Sequence, residues 1–226
     1  MNDHRHFKDS IYELFARVGK ALAAPKRLEL LDLLCQGPRT VDALSKQTAV
    51  SIANVSQHLQ ILRAANLVTA QKRGLFVEYK LADDDVSRCL VALRQLAESR
   101  FSDMQRVAED FLGKDDGEPV GARELLRRHG KGEVVILDVR PAEEYVAGHL
   151  PGAISVPLPE LTKRIAELPK RKEIVAYCRG PYCVMAAEAV TLLRKRGFRA
   201  RRIDEGIADW KLQGVRVAMG NLETRP

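Results

Sequence analysis

The 226 residues are too many for one ordinary small domain and suit two of about 110 residues each. Hydrophobic residues at 46% and charged residues at 30% describe a chain that buries a core, which excludes wholesale disorder and a fibrous repeat. The net charge of +7 points toward nucleic acid, but residues 1–113 carry only +2 of it and residues 114–226 carry +5, so the total does not choose between the halves.

In chain order, Ile11, Leu14, Phe15, Val18 and Leu22 form an apolar stripe that predicts an amphipathic N-terminal helix. Shorter helices are expected over Lys26 to Cys35, Thr40 to about Gln47 and Ser51 to Ala64. Thr40 and Ser51 are placed as N-caps, and Gly37-Pro38 punctuates the first of the three. The brief connection Thr48-Ala-Val50 is what a helix-turn-helix requires. In the helix after it, Val55, Leu59 and Leu62 make the buried row and leave Asn54, Gln57, His58 and Gln60 among the more exposed positions, where their donors and acceptors suit base edges. Leu67 to Ala70 and Phe76 to Leu81 read as two strands around Gln71-Lys-Arg-Gly-Leu75, a hairpin tip with two cations for phosphates. Between Arg39 and Lys80 the local charge is +4, because six cations meet only Asp42 and Glu78. Asp83 to Asp85 suit the cap and positive dipole end of a helix better than a metal. From there Val86, Leu90, Leu93, Leu96, Phe101, Met104, Val107 and Phe111 predict one long helix over 84–111. The two terminal helices suggest a dimer interface.

Pro25-Lys-Arg-Leu, Val41-Asp-Ala-Leu, Ser51-Ile-Ala-Asn-Val-Ser-Gln-His-Leu-Gln-Ile-Leu-Arg63, Ala65-Asn-Leu-Val68 and Arg73-Gly-Leu-Phe-Val-Glu-Tyr79 resemble the ArsR/SmtB winged helix-turn-helix repressors. The resemblance spans about residues 10–110 and implies a DNA-binding homodimer held by the N-terminal helix and the 84–111 helix, with a double-stranded operator as partner. Carried over by position, Asn54, Ser56, Gln57 and His58 meet the major groove and Lys72 and Arg73 meet phosphates. Metal-sensing members cluster cysteines or histidines on the third or last helix. Here Thr40 to Gln47 has neither, and Asp84 to Phe111 has no histidine, so no metal is expected at those places. His4 and His6 fit a mobile, tag-like terminus better than a weak metal pair. Persulfide-sensing relatives carry a cysteine on the second helix and another on the last. Cys35 and Cys89 are the candidates, although Asp32 occupies the aligned second-helix position, and an inert role for both is favoured.

The polar run Gly113-Lys-Asp-Asp-Gly-Glu-Pro119 marks the seam. We therefore divide the chain into a DNA-binding and dimerisation domain at 1–112, a linker at 113–119, a second domain at 120–218 and a tail at 219–226. In the second domain Val134 to Leu137, Ala153 to Val156, Glu173 to Tyr177 and Arg199 to Ile203 read as strands. They alternate with helical stretches near Glu143, near Leu161, over Met185 to Arg194 and over Ile207 to Leu212. That alternation predicts an α/β layer with a mostly parallel sheet, whose ligands sit beyond the carboxyl ends of the strands. Cys178-Arg-Gly-Pro-Tyr-Cys183 occupies such a place. Arg179, the tight turn of Gly180 and Pro181, and a helix starting at Cys183 or Val184 together favour an ionised Cys178 thiol.

Asp138-Val-Arg140, Glu143-Glu-Tyr145, Gly148-His-Leu-Pro-Gly-Ala-Ile154, Val175-Ala-Tyr-Cys178 and Asp204-Glu-Gly-Ile-Ala-Asp-Trp210 resemble, in this order, the rhodanese domain. The resemblance implies transfer of a sulfane sulfur from thiosulfate, a persulfide or a polysulfide through a Cys178 persulfide, with no cofactor. Asp138, Arg140, Glu144 and His149 are then structural ties and Trp210 fills the core. Thiosulfate-active relatives often close the loop with Arg or Lys, whereas this chain has Cys183, so thiosulfate turnover is in doubt unless Arg179 compensates. Cys183 is either an inert neighbour or the group that resolves a Cys178 persulfide into a disulfide or polysulfide bridge. A phosphatase or arsenate reductase loop of this fold has seven residues ending in Arg, and Val184 stands there instead.

The winged-helix domain and the rhodanese-like domain together read as a regulator that detects or processes reactive sulfur. The rivals are a working sulfurtransferase under separate DNA-binding control and a protein-docking module. Four scattered cysteines, a charged start and the lack of a long apolar run give the expectation of a reducing, cytoplasmic setting with no membrane partner.

Overall fold

The structure, a computed structural model, describes residues 2–113 and 120–220. Apart from Gly113 the expected linker lies outside the described residues, as does the tail beyond 220. The chain divides into two compact units, one ending at Leu90 and the other beginning at Val91.

The first unit contains α1 (Asn2–Leu22), α2 (Pro25–Cys35), β1 (Arg39–Thr40), α3 (Val41–Thr48), α4 (Ile52–Ala64), β2 (Val68–Arg73), β3 (Phe76–Leu81) and the start of α5 (Asp84–Arg100). Pro25 supplies the fixed φ of the first turn of α2. Thr40 caps α3 by accepting from the Ala43 amide at 3.2 Å, and Ser51 caps α4 by accepting from Asn54 at 3.4 Å. Leu44 of α3 and Val55, Leu59 and Leu62 of α4 are fully buried with Leu30, Leu31 and Leu34 of α2. This is a winged helix-turn-helix. Its antiparallel sheet has the order β1-β3-β2, and the short β1 was not expected from the sequence.

The wing departs from the expected geometry. Lys72 pairs with Val77 and Arg73 with Phe76, so both cations stand on the strand, and the turn is only Gly74-Leu75. Gly74 takes φ +61°, the value a two-residue hairpin needs at its first turn position. The helix expected over 84–111 is also two helices, α5 and α6 (Asp103–Leu112). Leu96 to Phe101 is a step of five residues, which turns the apolar stripe by about 140° on a helix of 3.6 residues per turn, so no single straight face serves both halves. Asp83 caps α5, its carboxylate accepting from the Asp85 and Val86 amides at 2.9 and 3.3 Å.

The second unit continues with α7 (Ala122–Gly130), β4 (Val134–Asp138), α8 (Ala142–Ala147), β5 (Ile154–Ser155), α9 (Leu158–Arg164), β6 (Glu173–Tyr177), α10 (Val184–Lys195), β7 (Ala200–Arg202) and α11 (Ile207–Leu212), with a 3-10 turn at Ile165–Glu167. The four strands are all parallel, in the order β5-β4-β6-β7. Helices cover both faces, which is why β4 and β6 read as continuous apolar runs. On β6 the period of two sends Ile174, Ala176 and then Cys178 beneath α10, while Val175 and Tyr177 pack against Trp210 on the opposite face.

Candidate functional sites

On α4, Asn54, Gln57 and Gln60 are exposed with Ser51, while Ser56 is half-buried. His58 differs from expectation. It is half-buried, three positions after Val55 and four before Leu62, both fully buried, and its Nδ1 is buried with no hydrogen-bond partner among the described residues. Lys72 and Arg73 are exposed on β2, and Arg73 Nε sits 3.1 Å from the Glu78 carboxylate. Arg39, counted in the basic stretch, is not on the surface: it is buried and donates to the Pro38 carbonyl at 3.0 Å.

Cys178 follows the carboxyl end of β6, where loops of a parallel sheet open toward ligands. The residue is 2% exposed, far less accessible than the sequence suggested, because the alternation that buries Ile174 and Ala176 carries it under α10. Its thiol lies 3.4 Å from the Cys183 carbonyl oxygen. Burial pushes the Cys178 thiol well up, and the hydrogen bond to Cys183 adds to this, against the N–H groups of Ala186 and Gly180 that face it. Cys183, the N-cap of the twelve-residue α10, is half-buried. The hydrogen bond from Cys178 lowers it most, to about 6, against burial and with help from the Arg179 and Met185 amides and the Arg179 charge. Of the two thiols, Cys183 is the more acidic and the more accessible.

Arg179 does not offer its charge outward. Its Nη2 and Nε lie 2.6 and 3.1 Å from the buried Glu144 carboxylate of α8, so the guanidinium ties the loop to α8. Asp138 and Arg140 form a fully buried ion pair at 2.6 Å, and Arg140 also reaches the Gly148 carbonyl at 2.7 Å. Burial works against the Arg140 charge, yet Asp138 more than offsets it and holds the guanidinium above its ordinary value. His149 hydrogen-bonds the Tyr145 carbonyl at 2.8 Å and stacks on the Tyr145 ring at 3.7 Å. Gly180, Pro181 and Cys183 are half-buried, whereas Tyr182 and Val184 are exposed.

The sequence did not single out four residues around this loop. Gly206, the N-cap of α11, approaches so closely that a Cβ there would stand 2.1 Å from the Arg179 carbonyl oxygen. Asp209 accepts from the Gly206 amide at 3.0 Å and pairs with Arg94 of α5. Glu98 of α5 accepts from the Tyr182 hydroxyl at 2.6 Å. Gly206 and Asp209 belong to a motif already quoted, but Arg94 and Glu98 have no local signature.

Residues 24–70 match the family described as bacterial regulatory protein, arsR family, and residues 121–213 match the Rhodanese-like domain. The chain belongs to the ArsR family of bacterial regulatory proteins and is a transcriptional regulator that combines this helix-turn-helix with a rhodanese-like domain. It is 44% identical over 213 residues, 94% of each chain, to the HTH-type transcriptional regulator Rv0324 of Mycobacterium tuberculosis (strain ATCC 25618 / H37Rv). It is 40% identical over 77 residues, 33% of this chain and 40% of the other, to the putative sulfur carrier protein YrkF of Bacillus subtilis (strain 168). A homodimeric winged helix-turn-helix DNA-binding domain of Mb0332 from Mycobacterium bovis is 37% identical over 42% of this chain and 87% of that one, with a TM-score of 0.40.

Proposed function

We propose that this regulator binds its operator as a homodimer and reads reactive sulfur through the Cys178–Cys183 pair. Two features support the dimer reading. Phe7, Tyr12, Leu14 and Phe15 on α1 are each more than half exposed, as is Leu96 on α5, which is an unusual apolar load for an uncovered surface. The homodimeric state of the Mb0332 domain agrees with it.

The placement of the two loop cysteines carries the sulfur reading: Cys178 follows the carboxyl end of β6 with its thiol 3.4 Å from the Cys183 carbonyl, and Cys183 begins α10. Cys183, the more exposed and more acidic thiol, attacks as thiolate a sulfane sulfur of hydrogen persulfide, forming Cys183 persulfide and expelling hydrosulfide. Cys178 gives up its proton and takes the terminal sulfur, returning Cys183 to a thiolate. The loaded Cys178 then has the Gly180 and Ala186 amides to hold the charged terminal sulfur. Attack by Cys183 on the Cys178 sulfur atom expels a second hydrosulfide and leaves a Cys178–Cys183 disulfide. In total two thiols are oxidised by two electrons and one persulfide is reduced to two sulfides. The name of the sulfur carrier relative agrees with this chemistry. With Arg179 committed to Glu144, persulfides and polysulfides suit the loop better than thiosulfate, whose sulfonate wants a cation.

The test is a mobility shift on the protein's own promoter, with and without inorganic polysulfide, for wild type and Cys178→Ser. Polysulfide is expected to change the affinity of wild type alone. Equal affinity in all four samples would remove the sensing function.

A further inference from the structure

The second unit holds a connected set of contacts that runs from the cysteine loop to the carboxyl-terminal half of α5. Tyr182, adjacent to Cys183, donates to Glu98 at 2.6 Å. One turn earlier on the same helix, Arg94 pairs with Asp209 and sits 3.4 Å from Glu98. Asp209 fixes the Gly206 amide, and Gly206 lies against the Arg179 carbonyl of the loop. A Cβ placed on Gly180 would stand 3.8 Å from Arg94 Nη1. Burial and the bond to Glu98 push the Tyr182 hydroxyl up to about 12, so it remains a donor across the physiological range.

We propose that Glu98 and Arg94 are positioning residues that read the sulfur state of the Cys178–Cys183 loop through Tyr182 and pass it along α5. The proposal rests on the reading that the two cysteines close a bridge. A disulfide brings its two sulfurs to a separation of about 2.05 Å, and Cys178 is held beneath α10, so the adjustment on closing the bridge falls on Cys183 and the peptide that joins it to Tyr182. A shift of that peptide acts on the Tyr182–Glu98 hydrogen bond and, through it, on α5. α5 is an unbroken helix from Asp84 to Arg100, and it starts three residues after β3 ends at Leu81. A shift imposed at Glu98 therefore reaches the helix-turn-helix unit through continuous backbone. Linkage makes the coupling reciprocal: whatever factor the bridge applies to operator affinity, operator DNA applies to bridge formation.

The experiment uses the full chain as wild type, Glu98→Ala and Glu98→Gln, treated with inorganic polysulfide. Intact mass under non-reducing conditions reports the bridge, and fluorescence anisotropy reports operator affinity. Alanine is the best helix former and removes the acceptor, whereas glutamine keeps an acceptor oxygen. Bridging is expected in all three proteins. Operator affinity should change by about 5- to 150-fold in wild type, the usual range of allosteric coupling, nearly as much in Glu98→Gln and less than about twofold in Glu98→Ala. In a thiol–disulfide buffer, saturating operator DNA should shift the bridged-to-reduced ratio of wild type by the same factor and leave that of Glu98→Ala unmoved. A Glu98→Ala response equal to wild type overturns the proposal while the sulfur chemistry stands. Wild type that shows no bridge by mass overturns both together.

Discussion

The acidity of Cys183 has a measurable consequence. Its thiol drops from an ordinary value near 9 to about 6, and the hydrogen bond from Cys178 is the largest cause. At pH 7 such a sulfur is about nine-tenths thiolate against about one-hundredth for an ordinary thiol, a gain of roughly 90-fold. Nucleophilicity falls with pKa at a slope of about 0.45, however, which removes roughly 20-fold over three units and leaves a rate advantage of only about fourfold at pH 7. The midpoint is therefore more diagnostic than the rate. The assay is the pH dependence of the first reaction with a pyridyl disulfide, in a Cys35→Ser/Cys89→Ser background so that the half-buried and exposed thiols elsewhere stay silent. The rate should level off above about pH 7. Cys178→Ala deletes the largest lowering influence and leaves burial, which acts upward, so its midpoint must move toward 9. A wild-type rate that keeps climbing about tenfold per pH unit from 7 to 9 would refute the lowering of Cys183 by Cys178.

Asp138→Ala leaves Arg140 buried without its counter-charge and is expected to cost about 3–5 kcal/mol, about 2 M in urea midpoint at a slope near 2 kcal/mol/M. The single tryptophan, fully buried Trp210, reports this unit by fluorescence, and a loss below about 0.5 M would show that the pair is dispensable. Gly206→Ala drives a Cβ into the Arg179 carbonyl, so about 1–3 kcal/mol of stability should be lost and the Cys183 titration should rise as the Arg179 amide is displaced. Unchanged values for both would show that the loop does not rest on Gly206. Lys72→Ala with Arg73→Ala should lower the slope of log affinity against log salt by up to about 2 per subunit while bridge formation by mass stays as in wild type; loss of both would contradict independent roles for wing and loop.

Local pattern carried much of this protein. The caps at Thr40, Ser51 and Asp83 and the buried row of α4 follow from spacing and residue type, because each is decided within a few residues of chain, and the parallel sheet follows from the alternation of strands and helices. The ordered motifs from Asp138 to Trp210 likewise identified the second unit, since close approach and buried pairing restrict which residues fit there. The break between α5 and α6 was present as a five-residue step, but an apolar stripe read loosely concealed it.

Tertiary structure decided the accessibility and charge of the thiols. Sequence placed the reactive sulfur at Cys178, next to an apparently available Arg179. Folding buries Cys178 beneath α10, turns Arg179 onto Glu144 and makes Cys183, at the helix start, the more acidic thiol. Glu98, Arg94 and Asp209 meet the loop from 80 or more positions away or from a different motif, and no local pattern encodes such meetings. Secondary structure and its periodicity depend on neighbours along the chain and are legible there. Proton affinity and side-chain pairing depend on which atoms are brought together in space and on how much water is excluded, and only packing determines both.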